Sequence, residues 1–417
     1  VSKADEDLGN REQDYYHDTA VSAKFNARLT DASRAGVSAV HTRSKMDYDS
    51  DALMTGNLVD ADVVQNVDIT TVSGHFEQDI TDAWRQTVKL GLTQTKREYF
   101  RDGGLFDGRY SGRIGFASWQ HNVFIADRDT VTAGFDFQHE QGDSAAPWGD
   151  LPEQIARTKS VFLQNQWTQV RNLEVTLGVR HDDHQAVGGE TTYKGGAAYL
   201  VEKTGTKFRA SYGTGFRAPS LYQLFDPTYG NPGLKPEKSR GWDAGIDQSL
   251  FQDRLTLNVT YFRNDLTELI VYDFTASRYK NVETAKTSGW ETALSWRPLA
   301  WLGFDANYTY TETLNEMTRK EMTYRPRHMA QASVRVRPIP KLNVNLQVQY
   351  VGRRYRDDAN TAEMPAYTLA NAAVTYDWTD RLQLTARVDN LANVRYNTVY
   401  QYGEPRLGVY GGIKITY

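Results

Sequence analysis

The chain has 417 residues, a net charge of -4, no Cys, 32 Gly and an aromatic fraction of 12%, with 25 Tyr. This charge leaves no polybasic footprint for nucleic acid, and the lack of Cys excludes a disulfide framework and thiolate metal sites in this chain. Mean hydropathy is -0.62, and no stretch stays apolar for the roughly 20 residues that a membrane-spanning helix needs.

Val1-Ser2-Lys3 opens into an acidic, polar run instead of a signal peptide. An exported protein would have lost its leader, so the chain is expected to begin downstream of a true N-terminus. From His17–Leu29 onward the pattern has period two, and about 19 such segments follow at about 20-residue spacing, the pitch of a barrel hairpin with its loop. Asp47–Gln65 and Gln141–Gln154 read as long polar loops. In Arg180-His181-Asp182-Asp183-His184 the two histidines are three apart, so on a strand they point to opposite faces and do not converge on one metal ion. Loop solvation is the reading preferred for that run. Phe304, Ala306, Tyr308 and Tyr310 alternate with polar residues, as do Leu342–Tyr350 and Leu382–Val388. Leu299–Trp301, Ile339–Lys341 and Thr379–Arg381 read as tight turns. The last segment, Leu407–Tyr417, puts Ile413, Ile415 and Tyr417 on one face and Lys414 and Thr416 on the other. A final amphipathic strand ending on an aromatic residue is similar to the assembly signal of barrel proteins, although an ordinary C-terminal strand would look the same. A barrel strand shows lipid only every second side chain, which reconciles polar composition with membrane spanning, and the aromatic excess supplies interfacial girdles. The fold class is therefore all-β, a transmembrane antiparallel β-barrel occupying residues 1–417.

Three motifs stand out. The first is Ser211-Tyr-Gly-Thr-Gly-Phe-Arg-Ala-Pro-Ser-Leu-Tyr-Gln-Leu-Phe225, followed by Tyr229-Gly-Asn-Pro-Gly-Leu-Lys-Pro-Glu-Lys-Ser239. The third is Asp389-Asn-Leu-Ala-Asn-Val-Arg-Tyr396. Pro219 and Pro236 cannot donate to a ladder and mark strand ends, Asn231-Pro232-Gly233 is a turn signal, and Gly213 and Gly215 mark a bulge or close backbone approach. As backbone devices, these residues shape one hairpin and need not touch a ligand. The set resembles the paired boxes and the penultimate-strand box of TonB-dependent outer-membrane receptors. Within that family Tyr261–Ile270 and Tyr396–Gly403 are most similar to the vitamin B12 (cobalamin) receptors.

The resemblance implies a 22-stranded barrel in a Gram-negative outer membrane, filled by an N-terminal plug that engages TonB. If Leu407–Tyr417 is strand 22, then His17–Leu29 is about strand 4. The plug and about three strands are then expected outside this chain, in an upstream part of the same precursor or on a separate plug-bearing chain. An open sheet edge in lipid leaves amides without partners. The function implied is TonB-dependent uptake of a scarce bulky solute, first a corrinoid and, as the alternative within the family, a ferric siderophore. A plugless passive pore or structural barrel is the alternative of another class. A haem receptor would carry a His between the two boxes, and there is none between Pro219 and Asn231.

Aromatic residues in outward loops, Tyr222, Phe225, Tyr229, Tyr272, Phe274 and Tyr279, are the candidate ligand contacts, with girdle or loop packing as the equal alternative. No cofactor is required by the pattern. Glu12, Asp14, Asp47, Asp49, Asp51, Asp60 and Asp62 gather in two early regions, where cobalamin receptors order loops with calcium. The nearest matches are Glu12, Asp14, Asp49 and Asp60, and a solvated acidic loop is the alternative. No Gly-x-Ser-x-Gly elbow, His-Glu-x-x-His motif or phosphate loop is present, and nothing gathers a catalytic set, so an enzyme is not expected.

Overall fold

In a computed structural model of the chain, the structure describes residues 2–4, 13–50, 59–101, 104–126, 128–147, 149–273 and 276–416. Among them, nineteen strands of eight residues or more join one antiparallel sheet, with Ser2–Ala4 as its twentieth member. The one helix among the described residues is the five-residue Leu221–Phe225. No described helix is long and apolar enough to cross a membrane. The all-β antiparallel reading of the sequence therefore holds, and the first long strand, Gln13–Thr30, encloses the segment expected at His17–Leu29.

Two compact units divide the chain. In the first, which holds residues 1–196, 213–240 and 266–283, sequence-adjacent strands pair one after another. Phe25 faces Val37, Val72 faces Leu92, Trp119 faces Phe135, and Phe135 faces Val161. All of these side chains lie on one face and most are exposed, Phe25 at 69% and Val161 at 55%. So much exposed apolar surface on alternating positions suits lipid and would be a liability in water. The opposite face carries ion pairs, such as Arg180 to Asp136 at 2.5 Å and to Asp182 at 2.9 Å.

The second unit holds residues 197–212, 241–265 and 284–417. Its hairpins close through the tight turns read from the sequence: Leu299 pairs with Leu302, and Ile339 with Leu342. Trp242, Tyr261 and Trp290 stand in a row with centroids 5.2 and 5.0 Å apart, a girdle arrangement. The final strand is Gly408–Ile415, with Ile413 and Ile415 exposed on one face. Tyr417 lies outside the described residues.

Three expectations need correction. Within 47–65 the described residues, 47–50 and 59–65, are strand, with Ser50 opposite Val59, and 51–58 lie outside the described residues. Residues 141–154 are also mostly strand, with Gly142 opposite Gln154 and Ser144 opposite Leu151. Beyond the apolar band both faces meet water, so polar residues there do not break a strand. Arg180–His184 is likewise not a solvated loop: the strand Leu173–His184 includes it, and Asp182 and His184 are buried at 6% exposure each. Ser160 Oγ donates to Asp182 at 2.6 Å, which explains the burial of that carboxylate. His181 is exposed on the other face, as the three-residue spacing predicts.

Candidate functional site: a chain of tyrosines beside the helix

The strand Thr206–Arg217 stops two residues before Pro219, and Glu237–Leu250 starts directly after Pro236. Between them the chain is ordered by local side-chain bonds. Ser220 caps the helix: its Oγ accepts from the Gln223 amide at 3.2 Å, and its own amide donates to Gln223 Oε1 at 3.0 Å. Asp226 Oδ1 then accepts from the amides of Thr228 and Tyr229 at 3.0 and 2.7 Å. That turn needs Gly230, since a Cβ there would sit 2.5 Å from the Asp226 carbonyl oxygen. Gly215 is a close approach too, 2.9 Å from Ser239 Oγ for an added Cβ, whereas at Gly213 the nearest atom is 3.8 Å away.

Longer-range bonds fix the loop to its neighbours. Leu221 and Leu224 are buried at 6% and 1% exposure, and the helix packs on the strand Leu151–Trp167. Asn231 donates to the Tyr279 carbonyl at 2.9 Å, and the Tyr279 amide donates to the Tyr229 carbonyl at 3.1 Å. Asn281 donates to the carbonyls of Lys235 and Glu268 and accepts from the Lys235 amide. Glu237 accepts a bidentate pair from Arg217 at 2.6 and 2.7 Å and a third bond from the Ile270 amide at 2.9 Å.

This scaffold brings together four of the residues expected from the sequence. Tyr222 meets Tyr279 edge to face at 6.3 Å, Tyr279 meets Tyr272 at 5.4 Å, and Tyr272 meets Tyr229 at 5.7 Å. The series continues through two residues that the sequence reading missed. Tyr222 meets Tyr110 at 6.2 Å, and Tyr110 meets Tyr99 at 5.9 Å. Six half-buried rings thus run Tyr99–Tyr110–Tyr222–Tyr279–Tyr272–Tyr229, each packed edge-on against the next. The parity of the strand Trp84–Arg101 held a signal for the missed pair: Thr95, Arg97 and Tyr99 alternate with the apolar-face residues. Tyr110 follows because it is the register partner of Arg97. Phe225 closes the helix half-buried, and the ring series passes through Tyr222 instead. Phe274 lies outside the described residues.

A cavity of about 840 Å³ opens beside Tyr99 and Tyr110, lined also by Arg97, Ser111, Glu140 and Ser220. Arg97 is exposed there. Burial, with the Asp226 carboxylate adding to it, pushes the Tyr222 hydroxyl well above the ordinary tyrosine range. It therefore stays a neutral hydrogen-bond donor at any physiological pH. A neutral aromatic row beside an exposed guanidinium suits a large, flat or ring-bearing anion.

Of the expected calcium set, Glu12 lies outside the described residues. Asp14, Asp49 and Asp60 fall on strand backbone, but their side chains also lie outside them. Among the described residues no group of three or more His, Asp or Glu side chains could hold a metal ion.

Comparison with known proteins places this geometry. Residues 4–391 match the family model described as TonB dependent receptor-like, beta-barrel. The siderophore receptor PirA from Acinetobacter baumannii superposes with a TM-score of 0.84 at 16% identity, over 99% of this chain and 73% of that one. The ferric enterobactin receptor PfeA from Pseudomonas aeruginosa gives 0.83 at 19% identity, over 99% and 72%. The ferric-catecholate import receptor Fiu from E. coli gives 0.75 at 16% identity, over 96% and 74%. At these identities the likeness establishes the fold. These are a siderophore receptor, a ferric enterobactin receptor and a ferric-catecholate import receptor, whereas the sequence motifs pointed first to cobalamin.

Proposed function

Since the chain belongs to the TonB-dependent receptor β-barrel family, we propose that it takes up a ferric siderophore across the outer membrane, with the six-tyrosine series and Arg97 as its ligand contacts. The family is one of transport receptors of Gram-negative outer membranes. The observation that carries the ligand reading is the continuous row of edge-packed phenols ending at a cavity whose arginine has no ion pair among the described residues. Ferric chelates with aromatic arms present flat rings and net negative charge, which such a row and a guanidinium complement. A ferric-catecholate import receptor and a ferric enterobactin receptor of the same fold support that choice. The energised step is assigned to a plug domain and TonB, with this chain as the wall and the capture surface.

The corrinoid reading keeps one support, the motif likeness at Tyr261–Ile270 and Tyr396–Gly403. Growth separates the two. The full receptor is expressed in cells lacking their own siderophore and cobalamin receptors. Under iron limitation a ferric catecholate is expected to restore growth, and only when TonB is present. Restoration by cobalamin under cobalamin limitation, without any ferric-chelate effect, would replace siderophore by corrinoid. Large steady conductance with TonB-independent growth would make the protein a passive pore.

A further inference from the structure

On the apolar face of the first unit, one row of polar residues, charged on four of its five strands, runs in register. Arg43 faces Asp68, Asp68 faces Lys96, Lys96 faces Ser111, and Ser111 faces Asp143. Its cations are neutralised within the protein: Arg43 by Asp68 at 2.7 Å, Lys96 by Glu98 at 2.8 Å, and the nearby Arg109 by Asp143 at 3.2 Å.

Next to it lies a block that is not neutralised. Gln141 separates Arg113 from the following strand, His139 faces Arg157, and Phe137 faces Lys159. Arg113, Arg157 and Lys159 are exposed and His139 is half-buried. None of the three cations has a carboxylate within ion-pair distance among the described residues, although Asp183 is the register partner of Lys159. With strands about 4.8 Å apart and alternate residues about 7 Å apart, the Cα atoms of Arg157 and Lys159 lie about 7 Å from each other and about 12 and 17 Å, respectively, from that of Arg113.

Depth gives the block its meaning. The short-turn end of the strand Asp129–Ala145 starts an outward series of Val131, Ala133, Phe135 and Phe137, and His139 comes next. Ten residues along a strand tilted by about 45° rise about 23 Å, close to the roughly 25 Å height of a barrel's apolar band. Arg157 is level with His139, Arg113 lies one step further out and Lys159 one step inward beside Phe137, so the block straddles the boundary where acyl chains give way to headgroups, on the long-loop side. Like charges so close together at that boundary repel unless an anion comes between them. We propose that Arg113, Arg157 and Lys159 form a binding site for the phosphorylated headgroup of an outer-leaflet glycolipid, with the acyl chains lying on Phe135, Phe137 and Val161. The occupant is a lipid and not a free anion, because the apolar band continues directly from the cations and only a lipid covers both.

The test uses the full receptor in detergent, titrated with diphosphorylated lipid A and with the same lipid after dephosphorylation, and read by native mass spectrometry. The native protein is expected to hold the phosphorylated lipid at least about tenfold more tightly. The combined variant Arg113→Gln, Arg157→Gln and Lys159→Gln should lose that preference. Arg113→Lys with Arg157→Lys should keep it, since charge is conserved. Equal binding of the two lipids by native protein, an unchanged preference in the glutamine variant, or full displacement by millimolar inorganic phosphate would each overturn the site. Should the glutamine variant fail to assemble, the comparison of the two lipids on native protein still decides.

Discussion

Loop 218–236 in the first unit is held at its centre by apolar side chains, Leu221 and Leu224, and along its length by asparagine bonds to backbone. Loop 390–407 in the second unit is held by a cation. Arg354 is 5% exposed and donates to the carbonyls of Asn397 and Thr398 at 2.5 and 3.1 Å, with its guanidinium over the Tyr367 ring. Tyr367 in turn meets Tyr396 at 4.6 Å. At the root of this loop the buried Asn390 closes a ring with Val394, donating to its carbonyl at 2.8 Å and accepting from its amide at 2.9 Å. Both loops carry sequence motifs, and in both the asparagines replace ladder bonds that an irregular backbone cannot make. They differ in the anchor: burial of leucine stabilises one without directional demand, whereas the other depends on one buried charge keeping its acceptors.

Removing the anchors should expose that difference. Leu224→Ala is expected to have the largest effect, destabilising loop 218–236 by about 3 kcal/mol through the cavity it leaves. Hydrogen exchange of amides 221–231 should accelerate sharply while amides 391–398 stay protected. Arg354→Met keeps most of the packing and removes the two carbonyl bonds, so amides 391–398 should lose about 2 kcal/mol of protection, with 221–231 unaffected. Equal loosening of both loops in either variant would show that they are not independently anchored. Ser220→Ala deletes the helix cap and should cost about 1 kcal/mol, measurable as a modest rise in exchange at Gln223. The smallest effect is one of pH. The amides of Ala362 and Thr361 hold the Asp357 carboxyl below its usual range. A depressed folded-state pKa contributes stability that is present above the unfolded value and is lost as pH falls through the folded one. Acidification below about pH 4 should therefore loosen amides 361–362 before either motif loop. Unchanged protection there at low pH would remove Asp357 as an anchor.

Much of the wall could be read from the sequence, because period-two alternation survives wherever one face meets lipid. His17–Leu29 and the turns at Leu299–Trp301 and Ile339–Lys341 were all legible for that reason. Strand length was not, since Gly142 and Gln154 pair in a region where both faces are wet and polarity carries no signal. The buried Asp182 was hidden for a related reason: its partners Ser160 and Arg180 become neighbours only through pairing of the strands Leu151–Trp167 and Leu173–His184. In the site, Tyr222, Tyr229, Tyr272 and Tyr279 stood next to recognisable motifs. Tyr99 and Tyr110 stood next to none, and their membership depends on Leu221 and Leu224 laying the helix against a distant part of the chain.

The most direct test of the ligand claim is a binding titration of the full receptor with a ferric catecholate chelate, comparing native protein with Tyr110→Ala combined with Tyr222→Ala. An aromatic ring packed against a ligand ring stabilises the complex by about 1 kcal/mol beyond the area it buries, so removing both phenols should weaken binding at least about thirtyfold and leave melting of the barrel unchanged. An affinity equal to that of the native protein would contradict the account and leave the tyrosine row as packing for loop 218–236.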